Sequence, residues 1–363
     1  MKLELLDFIR ENKDWEIQLQ DKPYSLSIKR DSGYILFMYS QIDSDFSYRL
    51  VRECRGIILR EFDMTPVCIP FTKFFNVQES HASDIDWSTA RVQEKIDGSI
   101  IKLWFDNDEW HISTNGTIDA VNAPLSDSAL LMDGCKYANY SELFSSVFPQ
   151  ELYFHTLDVD CTYIFELVSP YNRIVVPYEK TEIYHIGTRD NRTLEELDID
   201  IGIRKPKEYS LSSLEDCLYA TGNMDFDEEG YVAVDANWNR VKIKSPAYVA
   251  AHHLKNNGVV TYSRIVDMIR LGGQDDFLSI YPEYTDAFEN VLERIDHFVT
   301  EIISDWNEIS SVDFITRKEL AKEVLKTSCP SCMFSLYDEK HDSVAEWFWN
   351  QANEKILKYI GLD

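Results

Sequence analysis

A lysine lies inside an apolar, strand-like run of the chain, where an ordinary surface lysine is out of place. Lys95 stands between Glu94 and Asp97, and Gly98 follows directly. Removal from water and neighbouring charges are what make an amine nucleophilic near neutral pH. A lysine considered alone is more often a solvated residue at the edge of a strand. The choice between the two interpretations depends on what else the chain places beside Lys95.

Three later segments carry charged residues in the same kind of setting. Glu166 alternates with apolar residues, so its burial requires a partner, either Arg173 or a bound group. Glu229 precedes a glycine and a second apolar run. Lys242 and Lys244 lie two residues apart, which puts both on one face of a strand, where a solvated surface is the alternative.

One type of chemistry accounts for all of these residues. A lysine can attack the α-phosphate of a nucleotide and form a lysyl-nucleotide intermediate, provided that cations and a divalent metal neutralise the phosphates. Magnesium prefers oxygen ligands and keeps several waters, so a few carboxylates suffice. Asp97, Glu166 and Glu229 can supply them. Lys242 and Lys244 can bind phosphate oxygens as point charges.

The order of these motifs resembles that of the covalent nucleotidyltransferases, the polynucleotide ligases and messenger-RNA capping enzymes. The phage RNA ligase 1 family, which repairs cleaved transfer RNA, is a closer resemblance. That resemblance covers the whole nucleotidyltransferase domain and extends to the rest of the chain only in helical character. Five ordered segments carry it: Glu53–Gly56, Lys73–Asn76, Phe165–Val175, Gly230–Val234 and Lys242–Ser245.

The resemblance implies a catalytic role for four residues and names the cofactors. Lys95 would be the adenylated nucleophile, and Glu166 would bind the ribose or a metal-bound water. Lys242 and Lys244 would contact the α-phosphate and orient the pyrophosphate. The cofactors would be ATP and Mg²⁺ or Mn²⁺, with Asp97, Glu166 and Glu229 holding the metal through water. The implied ATP-binding residues are Arg55, Lys73, Glu94, Lys95, Gly98, Glu166, Glu229, Lys242, Lys244 and Tyr248.

One position departs from the family pattern. The family carries a basic residue on the strand after the nucleophile, in a turn of the Lys-Gly-Ser type. This chain has Asn115, Gly116 and Thr117 there. Asn115 can donate a hydrogen bond but carries no charge, so the contact that the family makes with the nucleotide phosphates at this position differs in this chain.

The activity implied is that of an ATP-dependent RNA ligase, which joins 3′-hydroxyl and 5′-phosphate RNA ends, with cleaved transfer RNA as the expected substrate. A capping guanylyltransferase and a DNA ligase are alternatives, but these usually carry an oligonucleotide-binding barrel after the second lysine motif. Here helical periodicity follows instead. A catalytically inactive relative that binds nucleic acid is a third hypothesis.

The elements that must position these residues form an α+β fold. We predict a nucleotidyltransferase domain over 1–247, built on antiparallel sheets with flanking helices, and an all-helical RNA-specificity domain over 248–363. Strands are predicted at 34–40, 54–62, 99–114, 162–170, 173–178, 182–188 and 230–245, with hairpin turns at 106–110 and 235–239. Helices are predicted at 126–148, 211–221, 284–306, 317–327 and 343–360.

The bulk composition narrows the class of protein. The net charge is −27, and neither part of the chain has more Lys and Arg than Asp and Glu, so any polyanion must bind in a local cleft. No apolar run reaches 18 residues, so we expect no membrane partner. Seven scattered cysteines suit a reducing cytoplasm, and the pair Cys329 and Cys332 lacks the further ligands of a zinc site. A monomer is the default expectation.

Overall fold

The computed structural model describes residues 2–130, 132, 134–149, 156–253, 260–312, 314 and 316–362. The chain divides into two units, Met1–His252 and His253–Asp363. The first unit contains three β-sheets with short helices, and the described part of the second contains helices but no strand. The predicted α+β fold class is confirmed. Within the described residues, no helix combines the length and apolar character that crossing a bilayer requires.

Fourteen strands are described in the first unit. In chain order they are β1 (Leu26–Asp31), β2 (Tyr34–Tyr39), β3 (Arg55–Arg60), β4 (Pro66–Cys68), β5 (Phe75–Asn76), β6 (Arg91–Glu94), β7 (Ser99–Asp106), β8 (Glu109–Thr114), β9 (Cys161–Val168), β10 (Glu182–Asp190), β11 (Glu196–Leu197), β12 (Glu208–Tyr209), β13 (Gly230–Val234) and β14 (Arg240–Lys244).

Helices flank these strands and make up the second unit. The α-helices of the first unit are Glu4–Glu11, Trp15–Gln20, Arg49–Glu53, Asp127–Leu130, Tyr140–Ser145, Leu214–Thr221 and Pro246–His253. Those of the second are Tyr262–Arg270, Gln274–Ile280, Thr285–Ser310, Arg317–Val324, Pro330–Tyr337, Val344–Trp349 and Asn353–Tyr359. Short 3-10 turns are Ala120–Asn122, Pro170–Asn172 and Pro282–Tyr284.

The strands pair almost entirely in antiparallel fashion, as predicted. One sheet has the order β1-β2-β3-β4, a second β11-β10-β9-β7-β8 and a third β12-β6-β13-β14-β5. The pairing of β14 with β5 is parallel. The hairpin between β7 and β8 turns through Asn107 (φ 50°) and Asp108 (φ 65°), residue types that tolerate a left-handed backbone.

Strand β9 shows how alternation assigns its two faces. Tyr163, Phe165 and Leu167 are buried in one apolar cluster together with Phe144. Because successive side chains of a strand point to opposite faces, Glu166 lies on the other face. The central strand therefore packs with one face and presents a carboxylate with the other.

Three predicted segments differ from the structure. Residues 173–178 form no strand, because the backbone N–H groups of Val175 and Val176 donate to Asp97 instead of to a sheet. The helix predicted over 126–148 is interrupted at Gly134 (φ +82°), and a new helix begins where Asn139 caps it. The helix predicted over 343–360 is two helices separated by residues 350–352.

Candidate active site

The two larger sheets of the first unit border a cleft of about 300 Å³, a volume suited to a small ligand. Strands β7 and β9 contribute one wall, and β6, β13 and β14 contribute the other. Seven of the residues predicted from the sequence line this cleft: Arg55, Glu94, Lys95, Gly98, Glu166, Lys242 and Lys244.

Lys95 lies in this cleft directly after the end of β6. Its backbone N–H donates to the Gly230 carbonyl at 2.9 Å, which holds the residue against β13. Its Nζ lies 2.8 Å from Glu229 Oε2, and its side chain is 21% exposed. The nucleophile predicted from the sequence is therefore accessible to a ligand and already paired with a carboxylate.

Glu229 joins the predicted nucleophile to the second lysine motif. Its other oxygen, Oε1, lies 3.1 Å from Lys244 Nζ, and the carboxylate is almost fully buried. Two ammonium groups of the cleft thus share one anion. This arrangement concentrates positive charge where the phosphates of a nucleotide would lie.

The lysines Lys242 and Lys244 both lie on β14, and both line the cleft. Lys242 is opposite Val232 and Lys244 is opposite Gly230 in the register of the β13–β14 pair. The period of two places both side chains on the same face, as the sequence predicted. Gly230 has φ +132°, and a Cβ there would collide with the Ile243 carbonyl oxygen.

Asp97 is buried and accepts hydrogen bonds from three protein groups. Its Oδ2 accepts from the N–H groups of Val175 (2.9 Å) and Val176 (2.8 Å), and its Oδ1 accepts from the Tyr248 hydroxyl at 2.8 Å. These contacts point the carboxylate at the protein, and Asp97 does not line the cleft. The metal role implied for Asp97 stays a prediction, and its visible role is to fix the segment after Lys95.

Replacing Tyr248 by phenylalanine is expected to lower the free energy of unfolding by about 1–3 kcal/mol, because a buried carboxylate oxygen loses a donor. The midpoint of urea-induced unfolding measures the loss. Tyr219→Phe is the matched control, since Tyr219 is 79% exposed. Equal midpoints for the two variants would mean that the Tyr248–Asp97 hydrogen bond contributes nothing to stability.

Gly98 allows β7 to approach β9 closely beside the nucleophile. A Cβ on Gly98 would lie 2.5 Å from the Leu167 carbonyl oxygen and 2.9 Å from a methyl carbon of Val168. These neighbours are backbone and a packed side chain, which cannot move aside easily. The glycine of the motif is therefore required by packing in the immediate surroundings of Lys95.

Gly98→Ala is expected to destabilise the protein by about 1–3 kcal/mol through overpacking. Gly116→Ala is the control, because a Cβ there meets nothing within 4 Å; we expect a change within about 0.5 kcal/mol. Chemical denaturation of both variants gives the two values. A Gly98→Ala protein as stable as the control would contradict the close approach of the two strands.

Glu166 lines the cleft on β9, opposite Ile100 of β7. Burial raises the pKa of its carboxyl to about 8; the positive charge of Lys95 opposes this increase, and the negative charge of Glu229 adds to it. No group in the described part of the chain forms a hydrogen bond or ion pair with this carboxylate. A partly buried acid with a perturbed pKa in a cleft is typical of a functional site.

Arg55 lines the cleft at the start of β3, where its guanidinium lies 5.3 Å from the centroid of the Phe74 ring. The next residue, Gly56, has φ +84°. This position requires glycine, because a Cβ would lie 2.5 Å from the Asn115 carbonyl oxygen. Asn115 also lines the cleft, and its side-chain oxygen is buried without a hydrogen-bond donor among the described residues. The arginine and the turn that departs from the family pattern thus meet at one end of the cleft.

Lys73 is placed differently from the other predicted phosphate contacts. Its Nζ donates to the Gln41 side chain at 3.1 Å and lies 4.2 Å from the centroid of the Phe46 ring, with Tyr39 and Phe75 at 5.0 and 5.1 Å. The side chain is 9% exposed and does not line the cleft. Lys73 therefore packs in an aromatic cage, and its role in binding ATP stays a prediction.

Two charged residues near the cleft were not identified from the sequence. Arg240 lines the cleft, forms an ion pair with Glu196 at 2.6 Å and lies 4.3 Å from the centroid of the Phe71 ring. Lys102 is fully buried on β7. The sequence pattern did indicate that Lys102 is buried, since alternation places it on the same face of β7 as Ile100 and Trp104.

The residues that could hold a metal are the carboxylates that line or border the cleft, Glu166 and Glu229. Within the described residues, no cluster of three or more His, Cys, Asp or Glu side chains has the arrangement of a metal site. Two carboxylates fit an ion that keeps most of its water ligands and binds together with substrate phosphates, as Mg²⁺ does. The unpartnered Glu166 carboxylate is the observation that favours such an ion.

Comparison with known proteins gives consistent matches. A family model described as "RNA ligase" matches residues 53–248, which span β3 to the helix carrying Tyr248. An RNA ligase of Rhodothermus phage RM378 is 27% identical over 381 residues, covering 84% of this chain and 85% of the phage protein.

A protein of Autographa californica nuclear polyhedrosis virus, whose assigned name is bifunctional polynucleotide kinase/RNA ligase, is 29% identical over 294 residues. The match covers 77% of this chain but only 42% of the viral protein. Among solved structures, an archaeal ATP-dependent RNA ligase is similar with a TM-score of 0.43 and 15% identity, over 90% of this chain and 89% of the other.

Proposed function

The chain belongs to the RNA ligase family, whose model matches more than half of its length, and on that premise we propose that it is an ATP-dependent RNA ligase. The observation that carries the proposal is the pairing of Lys95 with Glu229 in a cleft that Lys242, Lys244 and Arg55 also line. A lysine, a carboxylate and several cations are the groups that a lysyl-nucleotide mechanism requires.

In the first step, Lys95 Nζ attacks the α-phosphorus of ATP. A phosphorus–nitrogen bond forms, the bond to the bridging oxygen breaks, and pyrophosphate leaves. Lys95 must lose its proton before the attack, and Glu229 lies 2.8 Å away as the nearest acceptor. Lys242 and Lys244 balance the charge on the phosphates as the bond to pyrophosphate lengthens.

In the second and third steps, the adenylyl group passes to RNA and the strand is sealed. The 5′-phosphate of RNA attacks the adenylate phosphorus, which frees Lys95 and gives an RNA-adenylate. A 3′-hydroxyl then attacks the RNA phosphate and expels AMP. The lysines of β14 act in each step, because every step places negative charge on phosphorus oxygens at the same position.

The remaining roles follow from the family assignment. A divalent metal, Mg²⁺ or Mn²⁺, would neutralise phosphate charge while held through water by Glu166 and Glu229. Asp97 would hold the backbone of Val175 and Val176 in place. Glu94, Gly98 and Tyr248 would complete the nucleotide site.

The substrate and the setting are part of the same proposal. The RNA has 3′-hydroxyl and 5′-phosphate ends and is a broken transfer RNA, selected with the help of the helical domain. The helical domain would extend over 248–363, after an adenylyltransferase domain over 1–247. The protein acts as a monomer in the cytoplasm.

The proposal is tested by incubating the purified protein with α-labelled ATP or α-labelled GTP and either Mg²⁺ or Mn²⁺, followed by denaturing electrophoresis. We expect a labelled protein with ATP and no label with GTP. Addition of RNA carrying a 5′-phosphate should then move the label to RNA. A label from GTP would indicate a capping enzyme, transfer to DNA in preference to RNA would indicate a DNA ligase, and a folded protein without label would indicate an inactive relative.

A further inference from the structure

Lys102 is a fully buried lysine whose amine has no anionic partner. Its side chain on β7 is 0% exposed, and Nζ donates to the Gly56 carbonyl oxygen. No carboxylate in the described part of the chain pairs with it. Burial is the main effect on the pKa of this amine and lowers it. The Cys68 thiol opposes this decrease, and the positive charge of the Arg55 guanidinium adds to it. Because a buried, unpaired ammonium is costly, this lysine requires an explanation.

The position of Lys102 on β7 places its amine just behind the end of the cleft. Ile100 lines the cleft, and Lys102 is the next residue on the same face of the strand. On the neighbouring strand, Lys102 pairs in register with Ser113, two residues before Asn115. The Lys102 Nζ and the Asn115 carbonyl oxygen both lie within 3 Å of the point that a Cβ on Gly56 would occupy.

From this placement, and on the basis of the proposed function, we propose that Lys102 is a positioning residue for the phosphates of ATP. Its amine holds the Gly56 carbonyl and thereby the Arg55 side chain in the cleft. Its positive charge acts on the phosphates from behind the part of the cleft wall that Asn115 forms. The Asn115 side chain itself contributes no charge there. A basic residue is thus supplied from β7 instead of from the turn after β8.

The physical argument rests on the environment of the amine. Charges interact more strongly across protein than across water, so a cation directly behind the cleft wall acts on a polyphosphate although it does not touch it. The bound phosphates in turn supply the negative charge that the unliganded protein lacks around Lys102, which favours the ammonium form. A purely structural lysine would be satisfied by the Gly56 contact and would not respond to charge at Asn115.

The experiment measures two quantities on the full chain: the dissociation constant of ATP by calorimetry, and the ATP concentration for half-maximal labelling. For Lys102→Met we expect both to increase about tenfold or more, which corresponds to about 1.4 kcal/mol of lost electrostatic attraction, with a smaller change in the maximal rate. Introducing Asn115→Lys into this variant should bring both values back to within about threefold of wild type, since the charge returns at the same place.

Lys29→Met is the matched control. Lys29 Nζ donates to the Gly116 carbonyl at 2.9 Å, so it contacts the same turn from the exposed side of the protein. We expect its ATP affinity to equal that of wild type. Two results would overturn the proposal and indicate that Lys102 only supports the turn. One is an equal loss of ATP affinity in Lys29→Met and Lys102→Met. The other is a loss of ATP affinity in Lys102→Met that Asn115→Lys does not restore.

A second variant keeps the proposal testable if Lys102→Met does not fold. Lys102→Gln keeps a donor for the Gly56 carbonyl oxygen but carries no charge, so it should bind ATP about tenfold more weakly than wild type. ATP affinity equal to that of wild type in Lys102→Gln would overturn the proposal. Calorimetry measures ATP binding independently of labelling. A protein that binds ATP but takes no label would contradict the ligase mechanism, and the ATP affinities of the variants could still be compared.

Discussion

Replacing Lys95 by methionine is expected to reduce covalent labelling by ATP to less than about one-thousandth of the wild-type rate. Methionine has a similar length and no nucleophilic nitrogen, so the first chemical step cannot take place. Glu229 keeps its ion pair with Lys244, so one of the two ammonium groups that share this carboxylate remains. Single-turnover labelling with α-labelled ATP, resolved by denaturing electrophoresis, measures the rate.

Lys95→Arg is the control that separates charge from nucleophilicity. Arginine preserves a cation beside Glu229 but stays protonated and cannot attack phosphorus. Both variants should therefore fail to label, while Lys95→Arg should retain ATP binding closer to wild type. Sealing of RNA that already carries a 5′-adenylate should survive better than labelling in both, because that step does not use the lysine as nucleophile. Persistent label in Lys95→Met would show that another residue is adenylated.

Replacing Glu166 by glutamine is expected to slow labelling about a hundredfold at pH 8.5, because the cleft loses its unpartnered carboxylate. The effect should depend on pH. Burial raises the pKa of Glu166 to about 8, so the carboxyl of the free protein is mostly neutral below that value and ionised above it. The ratio of kcat/KM for wild type to that of the variant should rise with pH through about 8 and then level off.

The same substitution makes a prediction about stability that does not depend on activity. A carboxyl whose pKa is higher in the folded protein than in the unfolded chain binds more protons when folded, so it costs stability as pH rises from about 4.5 to about 8. Glutamine cannot ionise and avoids this cost. The Tm of Glu166→Gln relative to wild type should therefore increase between pH 5 and pH 9.

Thermal unfolding of both proteins across this pH range, monitored by circular dichroism, measures the difference. A Tm difference that stays constant with pH would mean that Glu166 is ionised in the folded protein at all of these values. In that case the rise in the activity ratio should also be absent, so the two measurements check each other.

The sequence by itself determined β7, β9, β13 and β14 and most of the charged residues that line the cleft. Alternation along β7, β9, β13 and β14 is a local property, because side chains of a strand point to opposite faces with a period of two. The same rule assigns Glu166 to the face opposite Phe165 and puts Lys242 and Lys244 on one face. The apolar spacing of the helix Thr285–Ser310 is equally local.

Only the tertiary structure decided which side chain faces which partner. Asp97 is directed at Val175, Val176 and Tyr248, residues that are distant in the chain, and the segment predicted to be a strand there uses its N–H groups for this contact. Lys73 lies in an aromatic cage built from Tyr39, Phe46 and Phe75, which come from three separate parts of the chain.

Lys102 is the clearest case of what the local pattern leaves open. Its position as an inward-facing residue of β7 could be predicted from alternation, but its proximity to Gly56 and Asn115 depends on how closely the start of β3 approaches β7 and the turn after β8. Contacts between strands of different sheets are set by packing and loop closure, which no periodicity in the sequence encodes. The sequence determined the chemical groups of the cleft, and the packing of the sheets determined their partners.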